Sequence, residues 1–194
     1  MKINIFIQII INIFIIMEVY AFAGNLKTGK NYVAEKLFIP LLPFKNTLVM
    51  GFADHFKIDA INKENLKYEK VFGEKDDETR KQLQLMGTEN GRDKYGQDIW
   101  INIVDTWMKI YNERGVERFI ITDLRFKNEY EYLKSKNAKI IKIKAPNRQK
   151  ENLKGQDLQV LNHRSETELN DIEFDYIINN DYNDKIIEDL KCLI

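Results

Sequence analysis

The chain has one cysteine, Cys192, and two histidines among 194 residues. A single thiol excludes an internal disulfide and a cysteine-held metal cluster, and two imidazoles argue against a His-rich metal site. This is the profile of a reduced protein, so a cytoplasmic location is expected. Net charge is also missing, because 30 Lys and Arg balance 30 Asp and Glu. No global field draws such a chain to nucleic acid or to an acidic bilayer, so direct nucleic-acid binding is not expected. Any phosphate site must therefore be built locally. Internal repeats are absent, and so is low-complexity sequence beyond an Ile-rich head. The length suits one ordinary domain with a full core.

The head, residues 1–16, is an apolar extension of Ile and Phe interrupted by Asn4, Gln8 and Asn12, with Lys2 in front. It resembles the start of a secretory signal. Cleavage after Ala21-Phe22-Ala23 would delete a strand that the site described next requires. The run is also shorter than the roughly 20 residues of a spanning helix, and its polar residues, four apart, would stripe a helix. Met17 is the simplest start of the folded chain, with an anchoring extension and a working signal as the other readings. No stable membrane partner is expected.

Against these absences stands Gly24-Asn25-Leu26-Lys27-Thr28-Gly29-Lys30, which fits G-x-x-x-x-G-K. Val19-Tyr20-Ala21-Phe22-Ala23 ahead of it reads as a buried strand. Residues 31–38 behind it read as a helix with Val33, Ala34 and Leu37 on one side. Strand, glycine loop and helix is the context in which freed amides point at a phosphate. Lys30 would reach the terminal phosphates. Asn31 stands where Ser or Thr would hold magnesium, and its amide oxygen is the candidate replacement ligand.

The rest alternates. Strands are expected at 47–52, 118–123, 139–143 and 174–178. Helices are expected from Asp54, a candidate N-cap, to about Ile61, over 65–74 and from Asp76 to Met86, with Gly87 as a C-cap. Further helices are expected over 99–111, with Ile99, Ile103, Thr106 and Ile110 on one face, and over 128–136 and 184–193. Pro146 to Asn162 reads as a polar loop. Alternation implies an α/β fold with a parallel sheet covered on both faces, whose ligands bind beyond the carboxyl ends of the strands.

Several segments then resemble one family. They are the glycine loop, Phe52-Ala53-Asp54 with Lys57, and Leu83-Gln84-Leu85-Met86-Gly87-Thr88-Glu89 with Arg92 and Trp100. Thr122-Asp123-Leu124-Arg125-Phe126 with Asn128-Glu129, and His163-Arg164-Ser165-Glu166, complete the set. From about Met17 to the C-terminus the chain is similar to the viral and phage-type deoxynucleoside monophosphate kinases, a branch of the P-loop kinases. The resemblance implies a three-layer fold with a five-stranded parallel sheet in the order 2-3-1-4-5. It also implies a helical acceptor-binding region at about 53–115 and a lid at about 146–166 within a kinase domain of residues 17–194. The implied activity is transfer of the ATP γ-phosphate to a deoxynucleoside monophosphate, with Mg2+, in deoxynucleotide biosynthesis. A homodimer is compatible with it. In that family the position of Asn31 is commonly acidic, so Asn31 departs in charge.

Roles follow. Gly24, Asn25, Leu26, Lys27, Thr28, Gly29, Lys30 and Asn31 would bind ATP, Lys27 either touching the donor or standing as a solvated tip. Asn31 and Asp123 are the metal candidates, Asp123 alternatively a helix cap. Arg125 would bridge the two phosphates, or else pair with Glu129. Asp54, Lys57, Arg80, Gln84, Thr88, Glu89, Arg92 and Trp100 are the acceptor candidates. Arginine suits a phosphate because its fork makes two bonds, and Arg80 and Gln84, four apart, share a helix face. Trp100 would stack on the base or fill the core. Arg148 and Arg164 are lid arginines, with Arg148 on ATP and Lys30, Arg125 and Arg164 as the catalytic set. His163 is expected to hydrogen-bond and Ser165 to cap a short helix. Rival readings are a phosphomevalonate kinase-like enzyme, a nucleotide-binding module without turnover, and a membrane-tethered protein.

Overall fold

The computed structural model describes residues 17–152, 162–181 and 185–194. The apolar head and the middle of the expected lid lie outside the described residues. Five strands form one sheet: β1 (Glu18–Ala23), β2 (Thr47–Met50), β3 (Arg118–Leu124), β4 (Lys139–Lys144) and β5 (Tyr176–Asn179). All pairings are parallel and the order is β2-β3-β1-β4-β5. The expected P-loop kinase order is thus found. The fifth strand starts two residues later than its apolar run, because Phe174 leaves the ladder to pack in the core.

β1 is central, and Tyr20, Ala21, Phe22 and Ala23 are all buried. The period of two sends alternate residues into two cores. Val19, Ala21 and Ala23 face one cluster with Phe119 and Ile121, whereas Tyr20 and Phe22 face another with Ile120 and Ile141. Each fully buried side chain of this kind contributes about 1.5–3 kcal/mol. The sheet centre therefore fixes where the glycine loop must emerge.

The helical run after the loop, α1, is α-helical over Lys30–Tyr32, widens to π geometry over Val33–Phe38 and tightens to 3-10 over Ile39–Leu41. Pro40 lacks an N–H and fits the first turn of that last segment. Next come α2 (Asp54–Glu64), α3 (Tyr68–Phe72) and α4 (Asp77–Gly87), capped by the Asp76 carboxylate, which accepts the Thr79 N–H at 2.9 Å. Gly87 is the last residue of α4 but not its C-cap, which is Thr88. The Gly87 φ is −74°, and the chain runs on through a π turn, Thr88–Arg92, into α5 (Asp93–Tyr95). The glycine serves close packing instead, since a Cβ there would lie 2.9 Å from the Phe56 ring. Asp54 is the first residue of α2 rather than its cap, and its carboxylate accepts the Gly51 N–H at 2.7 Å.

α6 (Ile99–Glu113) buries Trp100, Ile101, Val104 and Met108, one position on from the expected stripe. Both stripes are apolar, and the one carrying the bulky Trp100 and Met108 fills the core. α7 (Lys127–Ser135) and α8 (Pro146–Asn152) flank β4. α8 replaces part of the expected loop, because the Asp181 carboxylate across the sheet accepts the N–H groups of Asn147 and Arg148 at its start. Short α9 (Arg164–Thr167) is capped by His163, whose ring nitrogen accepts the Ser165 N–H at 3.1 Å, so Ser165 is not the cap. α10 (Lys185–Lys191) closes the chain. No helix among the described residues is long and apolar enough to cross a membrane.

Candidate functional site

The loop between β1 and α1 turns at Lys27 (φ 63°) and Gly29 (φ 75°). Left-handed backbone at Gly29 is free of Cβ strain, and a Cβ there would fall 2.7 Å from the Asn180 amide. The loop is held from outside by its own main chain. Glu166 accepts the Leu26 N–H at 2.7 Å, Gln149 donates to the Leu26 carbonyl at 2.8 Å, and Asn180 donates to the Thr28 carbonyl at 2.9 Å. Inside the turn the Thr28 hydroxyl donates to the Asn25 carbonyl at 2.9 Å. α8, α9 and the end of β5 therefore all fix the position of one turn.

Beyond the carboxyl ends of the strands lies a cleft of about 470 Å3. Leu26, Lys27, Lys30 and Asn31 line it from the loop. Lys57, Arg80, Gln84, Thr88, Arg92 and Trp100 line it from α2, α4 and the segments after them. Asp123 and Arg125 line it from the end of β3. Gly24, Asn25, Thr28 and Gly29 frame the loop without lining the cleft. Asp54 is set back, paired with Lys57 at 3.0 Å, and Glu89 is exposed. Arg148 lies beside Gly29. Arg164 lies outside the cleft, bound to Glu168 at 2.5 Å and to the Gln97 side chain at 3.2 Å.

Lys30 is buried, and no carboxylate lies within ion-pair distance of it among the described residues. Burial and then the Arg125 guanidinium pull its ammonium down to about 7, with Lys57 adding to the effect and Glu166 and Asp123 opposing it. A cation held this way is poised for an anion that the fold does not itself supply. Arg125 is paired with Glu166 rather than with Glu129. Glu129 instead accepts the Arg125 and Phe126 N–H groups at 2.8 and 3.0 Å and pairs with Arg92. Burial raises the Glu129 carboxyl, with Asp123 adding to the rise, while Arg92 and the two amides pull it down. Arg92 packs its guanidinium 4.0 Å from the centre of the Phe126 ring and donates to the Gln97 carbonyl at 2.6 Å. It is thus a wall of the cleft more than a hand within it. Trp100 serves both of its expected uses in part: it lines the cleft, yet its ring N–H donates to the Gly87 carbonyl at 2.8 Å.

Asp123 accepts the Phe52 and Ala53 N–H groups at 2.8 and 3.0 Å, so it ties the end of β3 to the turn before α2. Each carboxylate oxygen keeps a second lone pair. No group of three or more His, Cys, Asp or Glu able to hold a metal ion occurs among the described residues. Magnesium takes one or two protein oxygens and completes its shell with phosphate and water. Asp123 and the Asn31 amide are the residues here that fit it.

Sequence reasoning missed several functional neighbours. Glu166 and Glu129 stand inside motifs already singled out, so their burial was the missing fact. Asn180 follows β5, where the carboxyl-end rule points. Gln149 and Lys75 carried no signal, and Phe52, Phe56, Phe72 and Phe126, which also line the cleft, look like core in any pattern.

Residues 22–194 match the sequence profile of a family described as deoxynucleotide monophosphate kinase. No curated protein matches the chain.

Proposed function

We propose that this chain, which belongs to the deoxynucleotide monophosphate kinase family, transfers the γ-phosphate of ATP to a deoxynucleoside monophosphate, giving the diphosphate for deoxynucleotide synthesis. Family membership makes it a phosphotransferase. The single observation that supports the finer reading is the cleft itself, where buried Lys30 of the glycine loop and the cations Lys57 and Arg80 line one space. Two phosphates in that space would meet between them.

In the reaction, an oxygen of the acceptor phosphate bonds to the γ-phosphorus as the bond to the β,γ-bridging oxygen breaks, and ADP leaves with that electron pair. Such transfer needs positioning and charge neutralisation more than covalent help. The loop amides and Lys30 hold the donor. Arg125, exchanging Glu166 for phosphate, stabilises charge between donor and acceptor. Lys57, Arg80 and Gln84 hold the acceptor, and Thr88 and Trp100 shape its pocket. Asp123 and Asn31 would hold magnesium, which would supply further neutralisation of the phosphate oxygens. In this reading residues 53–115 form the acceptor region, and Arg148 and Arg164 stand at the two described ends of the expected lid.

The test is a panel of deoxynucleoside and ribonucleoside monophosphates with ATP and magnesium, scored by product mass. A diphosphate product from at least one deoxynucleotide is expected. ATP binding with no transfer to any monophosphate would overturn the reading.

A further inference from the structure

Lys75 sits in the turn between α3 and α4 and lines the same cleft. Its ammonium donates to the Gly73 carbonyl at 3.3 Å and has no carboxylate partner among the described residues. Arg80, also on the cleft, likewise has no ion pair, and its Nε is buried with no hydrogen-bond partner. Lys57 completes the group. It is paired with Asp54 at 3.0 Å and lies 5.1 Å from the centre of the Phe72 ring. These are three positive charges with one carboxylate against them. The neighbouring Lys70 and Asp76 bind each other at 2.5 Å and so leave that balance unchanged.

Like charges gathered at a partly desolvated wall repel one another and lose hydration. Burial, with Lys57 and Arg80, lowers the Lys75 ammonium to about 8. A fold that needed these side chains only for solubility would turn them to bulk water. An excess of about two positive charges instead complements a phosphate monoester, which carries about −1.5 to −2 near neutral pH.

We propose that Lys75 joins Lys57 and Arg80 in a receptor for the phosphate-monoester dianion of the acceptor, and is the residue by which the cleft selects a monophosphate over an unphosphorylated nucleoside. This rests on the kinase reading above and extends it to a residue outside every motif of the sequence. Lys75 does not touch the transferring group. It acts on acceptor affinity, and turnover at saturation is independent of it.

The test is calorimetric titration of wild type, Lys75→Met, Lys75→Gln and Lys75→Arg with the four deoxynucleoside 5′-monophosphates and with the matching deoxynucleosides. Met and Gln should weaken monophosphate binding roughly 10- to 100-fold, the range for losing one charge-assisted bond. Deoxynucleoside binding should not change, and Arg should restore monophosphate binding to within a few-fold. In turnover assays the KM for the monophosphate should rise by the same factor, with kcat and the KM for ATP unaltered. Equal monophosphate affinity in wild type and Lys75→Met would overturn the proposal while leaving the kinase reading intact. So would equal losses for monophosphate and deoxynucleoside, which would mark a structural role. Failure of wild type to bind any monophosphate would remove both.

Discussion

The two ends of the cleft are built on different principles. The end proposed for the donor is backbone: a turn with two left-handed residues, whose carbonyls and amides are held by Glu166, Gln149 and Asn180. Two lysines of the loop line the cleft, and of these Lys30 is buried at a helix start. The end proposed for the acceptor is side chain: Lys57, Lys75 and Arg80 project from helices and a turn, and two of them lack ion pairs among the described residues. The first end is organised before any ligand arrives. The second gathers three cations on long side chains with one carboxylate, Asp54, paired among them. A triphosphate tail is the same in every donor nucleotide, so a fixed amide cradle suits it, whereas an acceptor must be recognised by what it carries.

The sharpest way to break this contrast is Lys30→Met. Turnover should fall by about 10^3-fold or more, since preorganised charge at the transferring group is the largest catalytic contribution. The far-UV spectrum and melting curve should stay close to wild type. Retained turnover in a coupled ADP assay would show that the donor end does not work through this cation. Asp123→Asn should have an intermediate effect, raising the magnesium concentration needed for half-maximal rate. The amide can still accept one of the two N–H groups from the turn before α2, so an unchanged magnesium titration would assign Asp123 to structure alone. The smallest effect belongs to Asn180→Ala. It removes one tether of the loop and should cost about 1 kcal/mol of loop order, read as a few-fold rise in the KM for ATP. An equal rise in the acceptor KM would mean that the two ends are not separately built.

Much of this plan is legible along the chain. The glycine loop and the alternation of strand and helix are local or periodic properties and are found in the structure, and a cleft lies beyond the strand ends. The errors are instructive because each has a tertiary cause. Gly87 looks like a left-handed C-cap, yet it is the right-handed last residue of α4 and lies against Phe56. The stripe of α6 shifts by one residue because Trp100 and Met108 fit the core better than Ile99 and Ile103. The polar run after Pro146 gains a helix because Asp181, thirty-odd residues away, caps it. Arg125 lies beside Glu129 in sequence yet pairs with Glu166.

By itself the sequence determined the strand order's ingredients, the glycine loop after β1, and the absence of any global field, because these depend on neighbours a few residues apart and on summed charge. Only the tertiary structure decided which cations go unpaired. Whether Lys75 finds a carboxylate or joins Arg80 in lining the cleft depends on how the helices on either side of its turn are set, and no local spacing records that.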